Sequence, residues 1–197
     1  MIDKVLTNLI YTFYPRGISF FTEYEKYIAT KEYKRLKQII SRFDLEHRED
    51  LSKKILGYFE KDYTLKKIQD YSLLHIEDRC LTFNVAVIED GELYTISLLI
   101  SILAPYYVIK CQKNIIDLYF SKSEIAKLEK ASKEKRKVKE LILVIENIVE
   151  GKLLFNKFPK SMLDRVVLDV SFQEAEVGCF SMFNAFFNIL IMTENEK

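Results

Sequence analysis

"LTFNVAVIEDGELYTISLLISILAPYYVIK", from Leu81 to Lys110, decides the fold class. Asp90-Gly91 interrupts two alternating apolar runs. A two-residue loop of this composition favours a type I′ turn, which needs positive φ at both central positions. With the turn fixed there, Val87 falls opposite Tyr94, Val85 opposite Ile96, Phe83 opposite Leu98 and Leu81 opposite Ile100. Side chains alternate along a strand, so these eight share one face. The other face pairs Ala86 with Thr95 and Asn84 with Ser97 and is more polar. Pro105 cannot donate to a ladder, so a break is expected before a third strand, "YYVIKCQ".

The flanking segments read as helices. Ile2, Val5, Leu6, Leu9, Ile10 and Phe13 recur at helical spacing, and Pro15 and Gly17 end the run. In "TEYEKYIATKEYKRLKQIISRF", Thr22 and Thr30 are candidate N-caps, and Tyr33, Leu36, Ile39, Ile40 and Phe43 make an apolar stripe. "REDLSKKILGYFEK" carries Leu51, Ile55, Tyr58 and Phe59, weakened at Gly57 by up to about 1 kcal/mol. "TLKKIQDYSLLHIED" reads as a short helix or turn entering the sheet. Further on, Val138, Leu141, Ile142, Ile145, Ile148 and Val149 form a strong stripe closed by Gly151. The stretch 127–137 before it is polar, either a solvated extension or a separate short helix.

The chain then returns to strand-like patterning. "RVVLDVSF" places Val166, Leu168, Val170 and Phe172 on one side, and "QEAEVG" offers a turn into "CFSMFNAFFNILI", read as a buried strand rather than an exposed aromatic edge. Helices, three strands, one long helix and two strands give an α+β fold: a mainly antiparallel sheet of about five strands, covered on one face by the N-terminal helices and the long helix. Nothing divides residues 1–197, so a single domain is expected, with the closing "TENEK" disordered.

Basic and acidic side chains number 30 and 29, so no global field marks a polyanion binder. Cys80, Cys111 and Cys179 are scattered, and His47 and His75 do not complete a zinc-like cluster with them. They read as small buried thiols in a reducing compartment. "MIDKVLTNLIYTFYPRG" lacks the features of a secretory signal, and no apolar run reaches membrane-spanning length, so a cytoplasmic protein is expected.

Motifs that carry chemistry are scarce. "HIEDRC" brings His75, Asp78 and Cys80 together in sequence, but a Cys–His nucleophile pair is usually assembled from distant segments. The carboxylates of "EDGE" suit a hairpin tip, and those of "EHRED" suit a helix start. Lys122, Lys127, Lys130, Lys133, Lys135, Arg136, Lys137 and Lys139 are interspersed with Glu124, Glu129, Glu134 and Glu140 at ion-pair spacing and lack aromatics for base stacking, so a solvated helix face is expected. There is no phosphate loop, dinucleotide fingerprint, HExxH or GxSxG. No catalytic, metal or cofactor residue is assigned.

Three stretches carry a resemblance: "FYPRGI" (Phe13 to Ile18) followed by "YEKYIATKEYKRL", then "SLLISILAPYYVIK", then "GCFSMFNAFF". Together they resemble small bacterial immunity proteins encoded beside polymorphic or type VI secreted toxins, in the Bacteroidetes style. The resemblance implies a cofactor-free binding protein that neutralises a cognate toxin. It brings no catalytic residue with it and leaves the binding surface unassigned. An interface of that kind would be anchored by aromatic and arginine side chains. Tyr11, Tyr14, Arg16, Tyr24, Tyr27, Tyr106 and Tyr107 are the candidates, and Tyr11 has the best claim to exposure. Two other classes stay open: a small enzyme with a pocket not written in local motifs, and a nucleic-acid-associated regulator using the lysines of 127–139.

Overall fold

The computed structural model describes residues 2–62, 65, 67–90, 92–114 and 137–188. The helices are α1 (Ile2–Phe13), α2 (Tyr24–Ala29), α3 (Lys31–Glu46), α4 (Arg48–Phe59), α5 (Val138–Gly151), α6 (Lys160–Leu163) and α7 (Met182–Phe186). The strands are β1 (Gln69–Asp70), β2 (Cys80–Glu89), β3 (Glu92–Ser101), β4 (Tyr106–Asn114) and β5 (Asn156–Lys157), in spatial order β1-β2-β3-β4-β5. Every pairing is antiparallel except β4 with β5. The fold is α+β, as the order of elements predicts.

The central hairpin has the expected register: Val87–Tyr94, Val85–Ile96, Phe83–Leu98 and Leu81–Ile100 are all Cα partners. Asp90 has φ of 51°, the left-handed value that the turn requires at its first position, and Gly91 lies outside the described residues. The loop carrying Pro105 separates β3 from β4, and the Pro105 carbonyl accepts from Asn156 N.

Tyr107 shares the Phe83–Leu98 face, and its hydroxyl donates to Glu150 of α5 at 2.7 Å, so α5 lies on that face. Helix α4 packs beside α5. On the opposite face, Lys110 reaches over the Phe183 ring of α7 at 3.7 Å. A short C-terminal helix therefore covers part of the face expected to be the open one.

Most helix stripes are as predicted. Leu6, Ile10 and Phe13 of α1 are buried, as are Tyr33, Leu36 and Ile40 of α3, Ile55 and Phe59 of α4, and Val138, Leu141, Ile145 and Val149 of α5. Thr30 caps α3, its hydroxyl oxygen accepting from Tyr33 N. Four details differ. Ile2 and Val5 are exposed, so the buried face of α1 begins at Leu6 and continues through Ile10 to Phe13. Glu23 rather than Thr22 precedes α2. Gly151 is the last helical residue of α5 instead of a left-handed stop. The ambiguous stretch before β2 holds strand β1 and a 3-10 turn at Leu74–Ile76.

The larger correction is C-terminal. "RVVLDVSF" is not a strand: Val166 and Leu168 face solvent while Val167, Val170 and Phe172 are buried. The chain turns at 168–169, where Val170 N bonds Val167 O, and again at 173–174, where Phe172 and Ala175 exchange backbone bonds. "CFSMFNAFF" forms a helix because Ser181 and Asn184 make a capping box: the Ser181 hydroxyl oxygen accepts from Asn184 N, and Asn184 Oδ1 accepts from Ser181 N. The fourth and fifth strands are β1 and β5 instead. The segments 115–136 and 189–197, including most of the lysine-rich stretch and "TENEK", lie outside the described residues.

Candidate binding surface

A loop joins α1 to α2 and carries the "YPRGI" sequence. Gly17 takes φ of 65°, a value natural to glycine, and its N–H donates to the Asp169 carbonyl at 2.7 Å. The Asp169 side chain holds the same loop: Oδ1 accepts from the Tyr11 hydroxyl at 3.0 Å and Oδ2 from Arg16 Nε at 2.5 Å. The Arg16 guanidinium stacks 4.4 Å from the Tyr11 ring centre. Burial alone would raise the Asp169 carboxyl, but the bonds from Arg16 and Tyr11 outweigh it and leave its pKa lowered. Phe20 N donates to Ser171 Oγ, and the Phe20 ring packs edge-on against Tyr24, Tyr27 and Phe172.

From this anchored loop Phe21 and Tyr24 project at 52 % and 46 % exposure, and Leu168 stands out beside it at 74 %. Arg16 is also largely exposed. Of the candidate anchors, Arg16 and Tyr24 are thus on the surface, while Tyr11 and Tyr106 are half-buried. Tyr14, Tyr27 and Tyr107 are core residues. Their hydroxyls are used inward: Tyr14 donates to the Ala185 carbonyl, Tyr27 to the Ser171 carbonyl and Tyr107 to Glu150. Phe21 and Leu168 were missed. Phe21 falls outside any stripe in the sequence, and Leu168 matches a strand pattern that the chain does not adopt.

Behind the loop sits Arg79, fully buried. Its Nη1 donates to the Glu77 carbonyl and to Gln173 Oε1, its Nη2 donates to the Asn184 carbonyl, and its guanidinium lies 5.1 Å from the Phe172 ring centre. Glu77 accepts from Tyr33 at 2.9 Å and Lys37 at 2.8 Å. Arg79 therefore fixes the C-terminal segment against the start of β2.

The members of "HIEDRC" do not assemble into a nucleophile site. His75 is exposed on the 3-10 turn. Cys80 is buried beside Thr82, and burial pushes its thiol up to about 12. Asp78 is buried, which raises its carboxyl, with Arg79 and a hydrogen bond from Asn188 opposing that shift. The "EDGE" acids serve structure: Glu89 Oε2 accepts from Val138 N, and Glu92 pairs with Lys113. In "EHRED", Glu46 pairs with Arg42 and Glu49 with Lys53. Among the described residues, no three His, Cys, Asp or Glu side chains gather to hold a metal ion.

Two open clefts flank β1. One lies among Asp44, Arg48, Glu49, Ser52, Lys53 and Asp70. The other lies on the far side of Asp70. Burial works to raise the Asp70 carboxyl, but bonds from Ser52 and Ser72 and the charge of Arg48 outweigh it, and its pKa is lowered. Among the described residues no helix is long and apolar enough to cross a membrane. No family model matches the chain, and no curated protein or solved structure matches it.

Proposed function

We propose that this chain is a non-catalytic binding protein of the immunity kind, which neutralises a cognate toxin by direct contact in the cytoplasm. One observation carries the binding reading. Asp169 clamps the 16–24 loop through Tyr11, Arg16 and the Gly17 N–H, so exposed Arg16, Phe21 and Tyr24 are presented on a backbone already held in place. Aromatic and arginine side chains dominate protein interfaces, and fixing them beforehand lowers the entropy cost of association. The toxin-directed part of the reading is supported by the resemblance in "FYPRGI", "SLLISILAPYYVIK" and "GCFSMFNAFF".

The near-balance of charge favours shape and aromatic contacts over a global field, so affinity should fall only modestly between low and moderate salt. The test is co-expression with a toxin-like neighbouring gene, followed by pull-down and growth. Phe21→Ala and Tyr24→Ala should each weaken the complex about tenfold or more while leaving thermal stability near wild type. A neighbour that is harmless alone, or that kills equally well with this chain present, overturns the reading. Turnover of a substrate by the purified chain would favour the enzyme class.

A further inference from the structure

The cleft on the far side of Asp70, roughly 390 Å³, is lined by Asp70, Tyr71, Ser72, Leu73, Asp78, Thr82, Asn84 and Asn188. None of these carries a positive charge. Two are carboxylates, and two are amides whose side-chain oxygens have no hydrogen-bond donor: Asn84 Oδ1 and Asn188 Oδ1. Asn188 is only 4 % exposed. Its amide also bonds the Asp78 carboxyl in the sense that lowers that group's pKa, so Nδ2 faces Asp78 and Oδ1 is the atom left over. Buried acceptors of this kind are normally satisfied. At the rim, Tyr71 and Leu73 stand 52 % and 38 % exposed, with the Tyr71 hydroxyl donating to Gln69 Oε1.

A rim of Tyr71 and Leu73 over a floor of unmatched acceptors and carboxylates suits one ligand chemistry. A guanidinium on an aliphatic stem offers five N–H donors, a positive charge and a face that stacks on an aromatic ring. We propose that this cleft is a slot for an arginine side chain of the protein partner, with the stem against Tyr71 and Leu73 and the guanidinium donating to Asn84 Oδ1, Asn188 Oδ1 and the Asp78 carboxylate. The protein origin of that arginine rests on the proposed function above, but the slot does not depend on which toxin is bound.

The test therefore uses the isolated full chain and N-acetyl-L-arginine amide, read by amide chemical shifts. Saturable shifts at Tyr71, Leu73, Asn84 and Asn188 are expected, with at least tenfold weaker binding of the uncharged N-acetyl-L-citrulline amide. Asn84→Val removes one unmatched oxygen and should keep or raise the melting temperature while losing the shifts; Asn188→Leu also removes the amide bond to Asp78, so it should lose the shifts at some cost in melting temperature. Tyr71→Ala, at a half-exposed position, should weaken binding several-fold. The slot is refuted by no saturable shift with the arginine probe, by equal binding of citrulline, or by undiminished binding in the Asn variants. Failure here with successful toxin capture would leave the immunity reading intact, and the reverse outcome would leave the slot.

Discussion

Arg79 Nη1 donates to Gln173 Oε1 at 2.7 Å, joining the start of β2 to a residue held at φ of 49°. The same nitrogen donates to the carbonyl of Glu77, whose φ is 69°. One guanidinium thus steadies two left-handed, non-glycine turns. Arg79→Ala would leave the Glu77 and Asn184 carbonyls and the Gln173 amide oxygen without their charged donor. Each hydrogen bond to a charged group is worth about 1.5–3 kcal/mol, so a loss above about 3 kcal/mol is expected in urea unfolding. Arg79→Lys should recover part of it, since an ammonium cannot span the same fork. A loss below about 1 kcal/mol for the alanine variant would contradict this role.

The hairpin turn gives a second expectation. Asp90 sits at φ of 51°, which a β-branched side chain resists. Asp90→Val should cost about 1–2 kcal/mol, and Asp90→Gly should be neutral or mildly stabilising. Phe83→Ala, in the fully buried pair with Leu98, should cost about 3–5 kcal/mol. Thermal or urea unfolding of the three variants checks the order.

Helix α5 offers an internal control. Ile145 is fully buried and Leu143, two residues earlier, is exposed. Ile145→Ala should cost about 2–5 kcal/mol and Leu143→Ala less than about 0.5 kcal/mol. Similar losses at both positions would mean that the helix is rotated or covered differently.

Alkaline pH should unfold the protein cooperatively. Burial raises the phenols of Tyr14, Tyr27, Tyr33 and Tyr107, aided at Tyr33 and Tyr107 by bonds to Glu77 and Glu150. It also pushes the Cys80 thiol up to about 12. Unfolded, these groups ionise near pH 8.5 for a thiol and 10 for a phenol. Their contribution is fully present below those values and is lost as pH rises towards the folded ones, because the unfolded chain then binds fewer protons. Tyrosinate absorbance should appear in two phases, the later one coinciding with loss of far-UV signal. Free titration of all tyrosines in a folded chain would contradict the buried assignments.

The hairpin and the helix stripes were legible because both are local: a period of two with a turn residue, and a period of 3.6 with caps. The C-terminal segment was not. A short apolar run such as "CFSMFNAFF" suits strand and helix equally, and only the Ser181–Asn184 pair, a weaker variant of the usual capping box, marks the helix. The tyrosines misled for a related reason. Tyr14 and Tyr27 look like surface anchors in sequence, yet their hydroxyls are satisfied by the backbone carbonyls of Ala185 and Ser171, and a carbonyl leaves no signature in residue identity. The Arg79 contacts are hidden the same way. The role of Asp169 could not be read either, since the clamp depends on a turn that strand patterning conceals.

Those long-range bonds set the timing of folding during synthesis. Tyr14 is 171 residues from its acceptor at Ala185, and Tyr27 is 144 from Ser171. At about 5–20 residues per second, the ribosome needs roughly 9–34 s to supply the acceptor after Tyr14 has been made. Through that interval α1 and the loop after it lack the segment that buries their aromatic side chains. The chain completes its core only once Ser171 and Ala185 have been made, and any surface that depends on the Asp169 clamp becomes usable only after Asp169 itself is available.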